Sequence, residues 1–305
     1  AALLEGLLGR WPVGRLATVT AGGDPHAMPV VFVPLGALVA ALLLWPLLRR
    51  RLGFPRLYGY ALLGHALAGV LDACTSYGTR LWWPFSDQPV AWNIIAVVDP
   101  LFTLALLLPL ILALWRRRPG LVRLGLGLAA LYLALGVVQQ QRAAGVARQL
   151  AGERGHAVDE LLVKPTIANL LLWRSVYVVD NRVYVDGIHV GLTARVYPGE
   201  SLPLFDPDTA LAGVAPDSRL WRDAARFREI SQGMVVRHPD YPELLGDVRY
   251  AMLPTSAEPL WGILLDPRSP ERTPPFVTNR ALSEAGRERF LAMLLGRAIT
   301  PVMDD

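Results

Sequence analysis

The chain is 305 residues long, 53% hydrophobic and only 18% charged, with a mean hydropathy of +0.34. A soluble domain carries about 25% charge, so this sequence is short of the residues that coat a water-facing surface. The same figures exclude disorder, and a single cysteine excludes an intrachain disulfide framework and a multi-cysteine zinc site. The formal charge of +4 and pI near 9.4 point, taken alone, to a nucleic-acid partner.

The distribution of the charge removes that reading. Residues 1–138 hold 11 of the 30 basic and 5 of the 26 acidic residues, a net of +6, and residues 139–305 carry a net of −2. The basic excess sits in the apolar half, as Arg49, Arg50 and Arg51 with Arg56 behind them, and as Arg116, Arg117 and Arg118. No nucleic-acid partner is expected; the bilayer is.

In chain order, residues 1–29 are an atypical N-terminal segment. Val30–Leu48 is uncharged over 19 residues, about 28 Å as a helix against a bilayer core of about 30 Å. Further spans are expected over 57–75, interrupted by His65 and Asp72, over 92–115, interrupted by Asn93 and Asp99, and over 121–138. Trp45 and Trp115 adjoin the arginine clusters, while Trp82, Trp83 and Trp92 gather at the opposite ends, as in an aromatic belt. Four spans with arginines in the short loops 49–56 and 116–120 place those loops in the cytoplasm and the 76–90 loop and everything after Val138 on the other face. The first run is too long, and lacks a basic flank before it, for a cleavable secretory signal.

The expected fold is therefore an α-helical membrane domain of about four spans, 30–138, followed by a small extracytoplasmic α+β domain, 139–305. Residues 139–155 read as a polar helical stalk. Leu170–Val179 and Arg182–Val190 read as strands joined at Asp180-Asn181, a hairpin signal, with Val183, Val185 and Gly187 on one face and Tyr184, Asp186 and Ile188 on the other. Residues 197–217 read as loop and Arg219–Gln232 as a helix. Asp247–Leu253 and Leu260–Leu265 read as strands, and Ser283 caps a last helix to about Arg297. His156, His189 and His238 are scattered, and surface or core positions are expected for them. No catalytic set stands out in this half.

The chemically informative residues lie in the apolar half. An ionised Asp in a membrane helix costs roughly 2.5–3.5 kcal/mol at its centre, so it normally has a partner or a task. Asp72 falls one turn from the end of its span and Asp99 seven residues in from Trp92. If the two carboxylates converged they would need a cation or a shared proton between them; the alternative is that each caps backbone or bonds Thr75, Ser76 or Tyr77. His65 is two turns from Asp72, too far for joint ligation on an unbroken helix, and Pro100 should free carbonyls near Asp99.

The run L-D-A-C-T-S-Y-G-T-R-L-W-W-P-F-S-D, Leu71 to Asp87, followed by V-V-D-P-L-F-T-L at 97–104, closely resembles the YdjM-like family of bacterial membrane-bound metal-dependent hydrolases. P-T-I-A-N-L-L-L-W-R-S-V-Y at 165–177 and Y-P-G-E-S at 197–201 also look like that family, so the resemblance covers roughly 30–300. It implies a multi-pass inner-membrane protein, a divalent metal cofactor and hydrolysis of an undefined substrate, with Asp72 and Asp99 as metal ligands and Thr75, Ser76 and Tyr77 in support; His65 is a candidate supporting residue outside the family's spacing. The family's P-D-x-D and H-R-x-x-T-H-S segments are missing here, and the position of a further family His is Ala68. Two carboxylates without an ordered His make a poor zinc site and a better weak Mg, Mn or Ca site.

Residues 7–33, with G-R-L-A-T-V-T and G-D-P-H-A-M-P-V, resemble the opening of the pyridoxamine 5′-phosphate oxidase-like split barrels, which bind flavin or deazaflavin. Under 30 residues do not build a cofactor pocket, so no cofactor-binding residue is expected there, and a chance hairpin or a fusion remnant is the plainer reading. Three functions follow from these features: a metal-dependent membrane hydrolase, inactive if the missing histidines are essential; a non-catalytic membrane-anchored binding or scaffold protein; and, from the N-terminal segment alone, a flavin-dependent oxidoreductase.

Overall fold

The computed structural model describes residues 32–82, 85, 86 and 88–299; the expected N-terminal hairpin, with His26, lies outside them, as do Trp83 and Asp87. The chain divides into two compact units, Ala1–Asn93 and Ile94–Asp305.

In the first unit, α1 (Phe32–Leu48) packs on α2 (Phe54–Ala73). The contact is made by small residues: Ala37 and Ala41 are fully buried, while Leu35, Leu42, Leu43 and Leu47 are exposed. The arginine-bearing turn 49–53 separates the helices, and Pro55 in the first turn of α2 sets its start, where a missing N–H costs nothing. After α2 the chain folds back on itself. Gly78 adopts φ +85°, Thr79 and Val90 form an antiparallel bridge, and the Trp92 and Asn93 amides donate to the Ala73 and Thr75 carbonyls.

The second unit begins with α3 (Pro100–Arg116) and α4 (Gly120–Glu153). The expected span from Trp92 is corrected here, because residues 92–99 are not helical and the helix starts at Pro100. Proline fits the first helical position and disfavours helix in the residue before it, and Asn93 has φ +55°. Asp99 is therefore the N-cap of α3 rather than a residue two turns inside it. The helices meet through Ala113, Gly125, Ala129 and Pro109, and a Cβ on Gly136 would lie 2.3 Å from the Ile94 carbonyl oxygen. Leu101, Leu108, Leu114, Leu124, Leu126 and Leu131 face outward, each more than half exposed.

Among the described residues one helix, α4, is long and apolar enough to cross a membrane by length and composition, and α1 and α3 are shorter apolar helices. The expected span 121–138 and the expected stalk are one unbroken helix of 34 residues.

The C-terminal domain consists of two antiparallel sheets. The first has the order β1 (Leu161–Pro165), β2 (Leu172–Val179), β3 (Arg182–Val190), β4 (Ala194–Pro203). Asp180 and Asn181 take φ of 50° and 58°, the left-handed pair that suits a tight hairpin. The first third of the expected loop 197–217 is instead the end of β4, which pairs with β3 past an irregularity between Tyr184 and Asp186. The short α5 (Pro207–Ala210) and α6 (Arg219–Ile230) follow. The second sheet runs β5 (Val235–Arg237), β6 (Leu244–Asp247), β7 (Trp261–Leu264), β8 (Phe276–Thr278). The expected strand over 247–253 is corrected: Asp247 ends β6, because its side chain accepts from the Arg249 backbone and turns the chain. The last helix, α7 (Glu284–Leu294), starts at the expected Ser283 cap, whose hydroxyl accepts from the Gly286 amide.

Both faces of the first sheet are covered. Val163, Trp173, Ile188 and Val190 pack on Ala143, Ala144 and Ala147 of α4. Val176, Val183 and Val185 pack on Met234, Val236, Val248 and Ala257. The far face of the second sheet, Val235, Leu245 and Ile263, is covered by Leu211, Leu220 and Ala224. At about 25 cal/mol per Å² of apolar surface removed from water, these layers are the main stabilising term of the domain.

Candidate functional site

Asp72 lies in the last turn of α2 and is exposed. Its Oδ2 accepts a short hydrogen bond from the Thr79 hydroxyl, which the loop after Gly78 brings back to the helix end; Thr79 is buried. Thr75 donates not to the carboxylate but to the Asp72 backbone carbonyl, at 2.8 Å. Ser76 and Tyr77 lie in the same turn, and Tyr77 is 43% exposed. His65 stands two turns earlier on α2, about 10 Å along the axis, with Nδ1 3.1 Å from the Ala61 carbonyl. It lines an open apolar groove of about 460 Å³ with Leu35, Gly36, Val39, Ala40 and Leu43, and so belongs to the α1–α2 contact rather than to Asp72.

Asp99 is 5% exposed and each of its carboxylate oxygens accepts a hydrogen bond. Oδ1 accepts from the Phe102 amide at 3.0 Å, the N-cap bond of α3, and Oδ2 accepts from the Tyr132 hydroxyl of α4 at 2.7 Å. The negative charge also sits at the positive end of the α3 dipole.

A metal on Asp99 would share the carboxylate with Tyr132 and the cap, and one on Asp72 would share it with Thr79. Among the described residues no group of three or more His, Cys, Asp or Glu is placed to hold a metal ion. The bonds that Asp72 and Asp99 make are to groups of the chain itself. They fit the structural alternative, in which each carboxylate finishes a helix end. Sequence reasoning missed Thr79 and Tyr132. Both were signalled: Thr79 lies inside the conspicuous Leu71–Asp87 run, and Tyr132 is the one hydroxyl in the run 121–138.

The strongest electrostatics lie in the sheet domain, where no site was expected. Lys164 and Arg174 sit directly opposite each other on β1 and β2, both buried, an arrangement that ordinarily destabilises a sheet. Arg174 donates to the Val248, Leu253, Pro254 and Ser256 carbonyls. Burial pushes its pKa down to about 10, against the pull of Glu200, Asp247 and Asp186. Lys164 places Nζ 3.3 Å from the centre of the Tyr250 ring. Burial first, and Arg174 second, hold its ammonium well below the usual lysine range. Arg249 grips Asp247 through Nε and Nη2; burial opposes the Arg249 charge, and these bonds more than offset it.

The lowered Lys164 pKa has a sign that can be checked. Where the folded value is below the unfolded one, the unfolded chain binds the extra proton, so stability rises with pH across the gap and is flat above about 10.4. Unfolding midpoints of the detergent-solubilised chain should therefore rise with pH on the approach to about 10.4, at up to about 1.4 kcal/mol per unit. Lys164→Met should flatten that rise, and an unchanged slope would show that another group carries it.

On the other face of the sheet, α4 ends in a polar clasp. Arg154, its C-cap, donates through both terminal nitrogens to Asp186, at 2.7 Å each, and to the Tyr177 hydroxyl at 3.0 Å. Asp186 is fully buried and also accepts from the Gly199 amide; its bonds raise the Arg154 pKa. His156 Nδ1 lies 3.0 Å from the same Tyr177 hydroxyl, and its ring packs on Tyr184. His238 is buried, with Nδ1 accepting from the Asp240 amide. Burial lowers the pKa of His189.

Against known families, residues 29–143 match the model of the YdjM inner membrane protein. No curated protein matches the chain, and no solved structure does.

Proposed function

With residues 29–143 matching the YdjM inner membrane protein family, we propose that this chain is a multi-pass protein of the bacterial inner membrane, acting as a non-catalytic anchor that carries a binding or scaffold domain. In this reading α1 to α4 cross the bilayer, with Arg49–Arg51 and Arg116–Arg118 in the cytoplasm and the two-sheet domain on the opposite face.

The observation that carries the proposal is the inside-out packing of α3 and α4. Their shared contact includes Gly125, Ala129, Ala113 and Pro109, with Phe102 and Tyr132 packed at one end, while leucines such as Leu114, Leu126 and Leu131 are turned outward. Small residues let membrane helices approach where lipid already solvates leucine; a water-facing pair would invert the pattern. The same small-in, large-out pattern holds for Ala37 and Ala41 of α1 against Leu43 and Leu47. That Asp72 and Asp99 are held by Thr79, Tyr132 and a helix cap supports the non-catalytic part.

Reporter fusions after residues 52, 88, 118 and 305 test the topology: 52 and 118 should report cytoplasm, 88 and 305 the other side. Metal analysis of purified protein tests the rest, beside Asp72→Asn and Asp99→Asn. Substoichiometric metal, unchanged in both variants, is expected. A stoichiometric divalent metal lost in either variant would replace the scaffold reading by the metal-dependent hydrolase.

A further inference from the structure

The turns at one end of the first sheet are apolar and exposed. In the β1–β2 turn, Ile167 is 60% exposed and Leu171 43%; in the β3–β4 turn Leu192 is wholly exposed. This is not the disorder of a loose loop. Asn169 Oδ1 accepts from the Leu171 and Leu172 amides, and its Nδ2 donates to Thr166 and Ile167. The backbone around Ile167 and Leu171 is thus laced, with both side chains held outward. Such a cluster of exposed apolar side chains marks an interaction surface.

Hydrogen bonds fix the height of this end along α4. Gln139, the first residue after the apolar stretch 121–138, donates to the Leu170 and Val190 carbonyls. The Ala168 amide donates to the Val98 carbonyl, just before α3 starts at Pro100, and Val97 and Val98 are themselves about half exposed. Tyr132, inside the apolar stretch, packs against the cluster that contains Leu170, Trp173 and Val190. The other end of the sheet lies beside the far end of α4, where Arg154 meets Asp186.

Charge divides along the same axis. The segments 161–179 and 187–199 contain no acidic residue, and Arg142 and Arg195 are exposed next to the β3–β4 turn; Arg142 donates to the Gly191 carbonyl. Asp159, Glu160 and Asp180 mark the opposite end.

We propose that Ile167, Leu171 and Leu192 dip into the bilayer that α4 crosses, with Arg142 and Arg195 at the level of the lipid headgroups, so that the sheet domain is seated on the membrane rather than held away from it. The occupant of this surface is the lipid of the same membrane. The argument is continuity: the exposed leucines of α3 and α4 run up to Gln139, and the two turns begin at that height. Apolar tips flanked by arginine are what an anionic membrane interface accepts. This inference rests on the membrane-spanning reading of α4 given above.

The test uses the full chain in nanodiscs of anionic and zwitterionic phospholipid, with single cysteines labelled with bimane in a Cys74→Ala background. Labels go at Leu192→Cys and Ile167→Cys, at Leu131→Cys in the middle of the span, and at Asn181→Cys on the opposite end of the sheet. Lipids brominated in the acyl chain should quench the labels at 131, 167 and 192 by about twofold or more and leave 181 unaffected. Quenching at 131 but not at 167 or 192, with iodide reaching both, overturns the seated domain and leaves the span standing. Protection from iodide at 192 without lipid quenching assigns the surface to a protein and also overturns it. No quenching at 131 overturns the span and the seating together. Should the labelled variants misfold, the native chain in nanodiscs doped with a diazirine acyl-chain lipid should cross-link within 166–171 and 191–193, and their absence from the mapped sites would refute the proposal.

Discussion

Arg174→Met should lower the stability of the sheet domain by roughly 3–5 kcal/mol, the range for breaking a buried charged network on one side. The Arg174 guanidinium lies between the sheets and donates to four carbonyls, those of Val248, Leu253, Pro254 and Ser256. These carbonyls belong to the turn that follows β6, which has no strand partner of its own over this stretch. Methionine fills much of the volume but satisfies none of them, and each orphaned buried acceptor costs about 1–3 kcal/mol. Arg174→Lys should recover little, since an ammonium at the end of a flexible stem cannot span the four acceptors that the planar guanidinium reaches. Urea unfolding of the chain in mild detergent, followed through its β-sheet signal, measures both. A loss below about 1 kcal/mol for Arg174→Met would show that the turn holds itself.

Asp186→Leu is the second large effect. Among the described residues, two Arg154 bonds and the Gly199 bond hold this fully buried carboxylate. Removing one partner of a buried pair costs about 3–5 kcal/mol, whereas replacing both with apolar residues can be close to neutral. Asp186→Leu and Arg154→Met alone should each destabilise the domain, and together by less than the sum of the two, a coupling that a double-mutant cycle reads directly. If the effects simply add, the pair is not what joins the end of α4 to β3. The single variants should also speed proteolysis between residues 155 and 160, because the junction after α4 loses its tie.

Much of this architecture was legible in the sequence. Apolar runs, arginine clusters and the Asp180-Asn181 turn located α1, α2, α3, α4, β2 and β3, since hydropathy and turn chemistry are local properties. What was not legible depends on partners far along the chain. The boundary at Pro100 is itself local, but its importance lies in Asp99, whose role is decided by Tyr132, 33 residues on. Asp72 is decided by a loop that returns from Gly78. In β3 the alternation suggested two different faces. The structure has those two faces and covers both, α4 lying on one and residues of the second sheet's layer on the other, and nothing in a strand announces a second covering layer. Nothing in the local sequence marks Lys164 and Arg174 as a pair until the register sets them opposite each other.

The unbroken course of α4 has a mechanical consequence. It is one hydrogen-bonded rod of 34 residues, about 51 Å long, without a proline to act as a hinge. One half is apolar enough to lie in lipid and the other half is bolted to a sheet through Ala143, Ala147 and Arg154. A span that leans over in a thinner bilayer therefore leans the sheet by the same angle. With α4 in the bilayer as proposed, the fold converts membrane thickness into the inclination of its sheet domain.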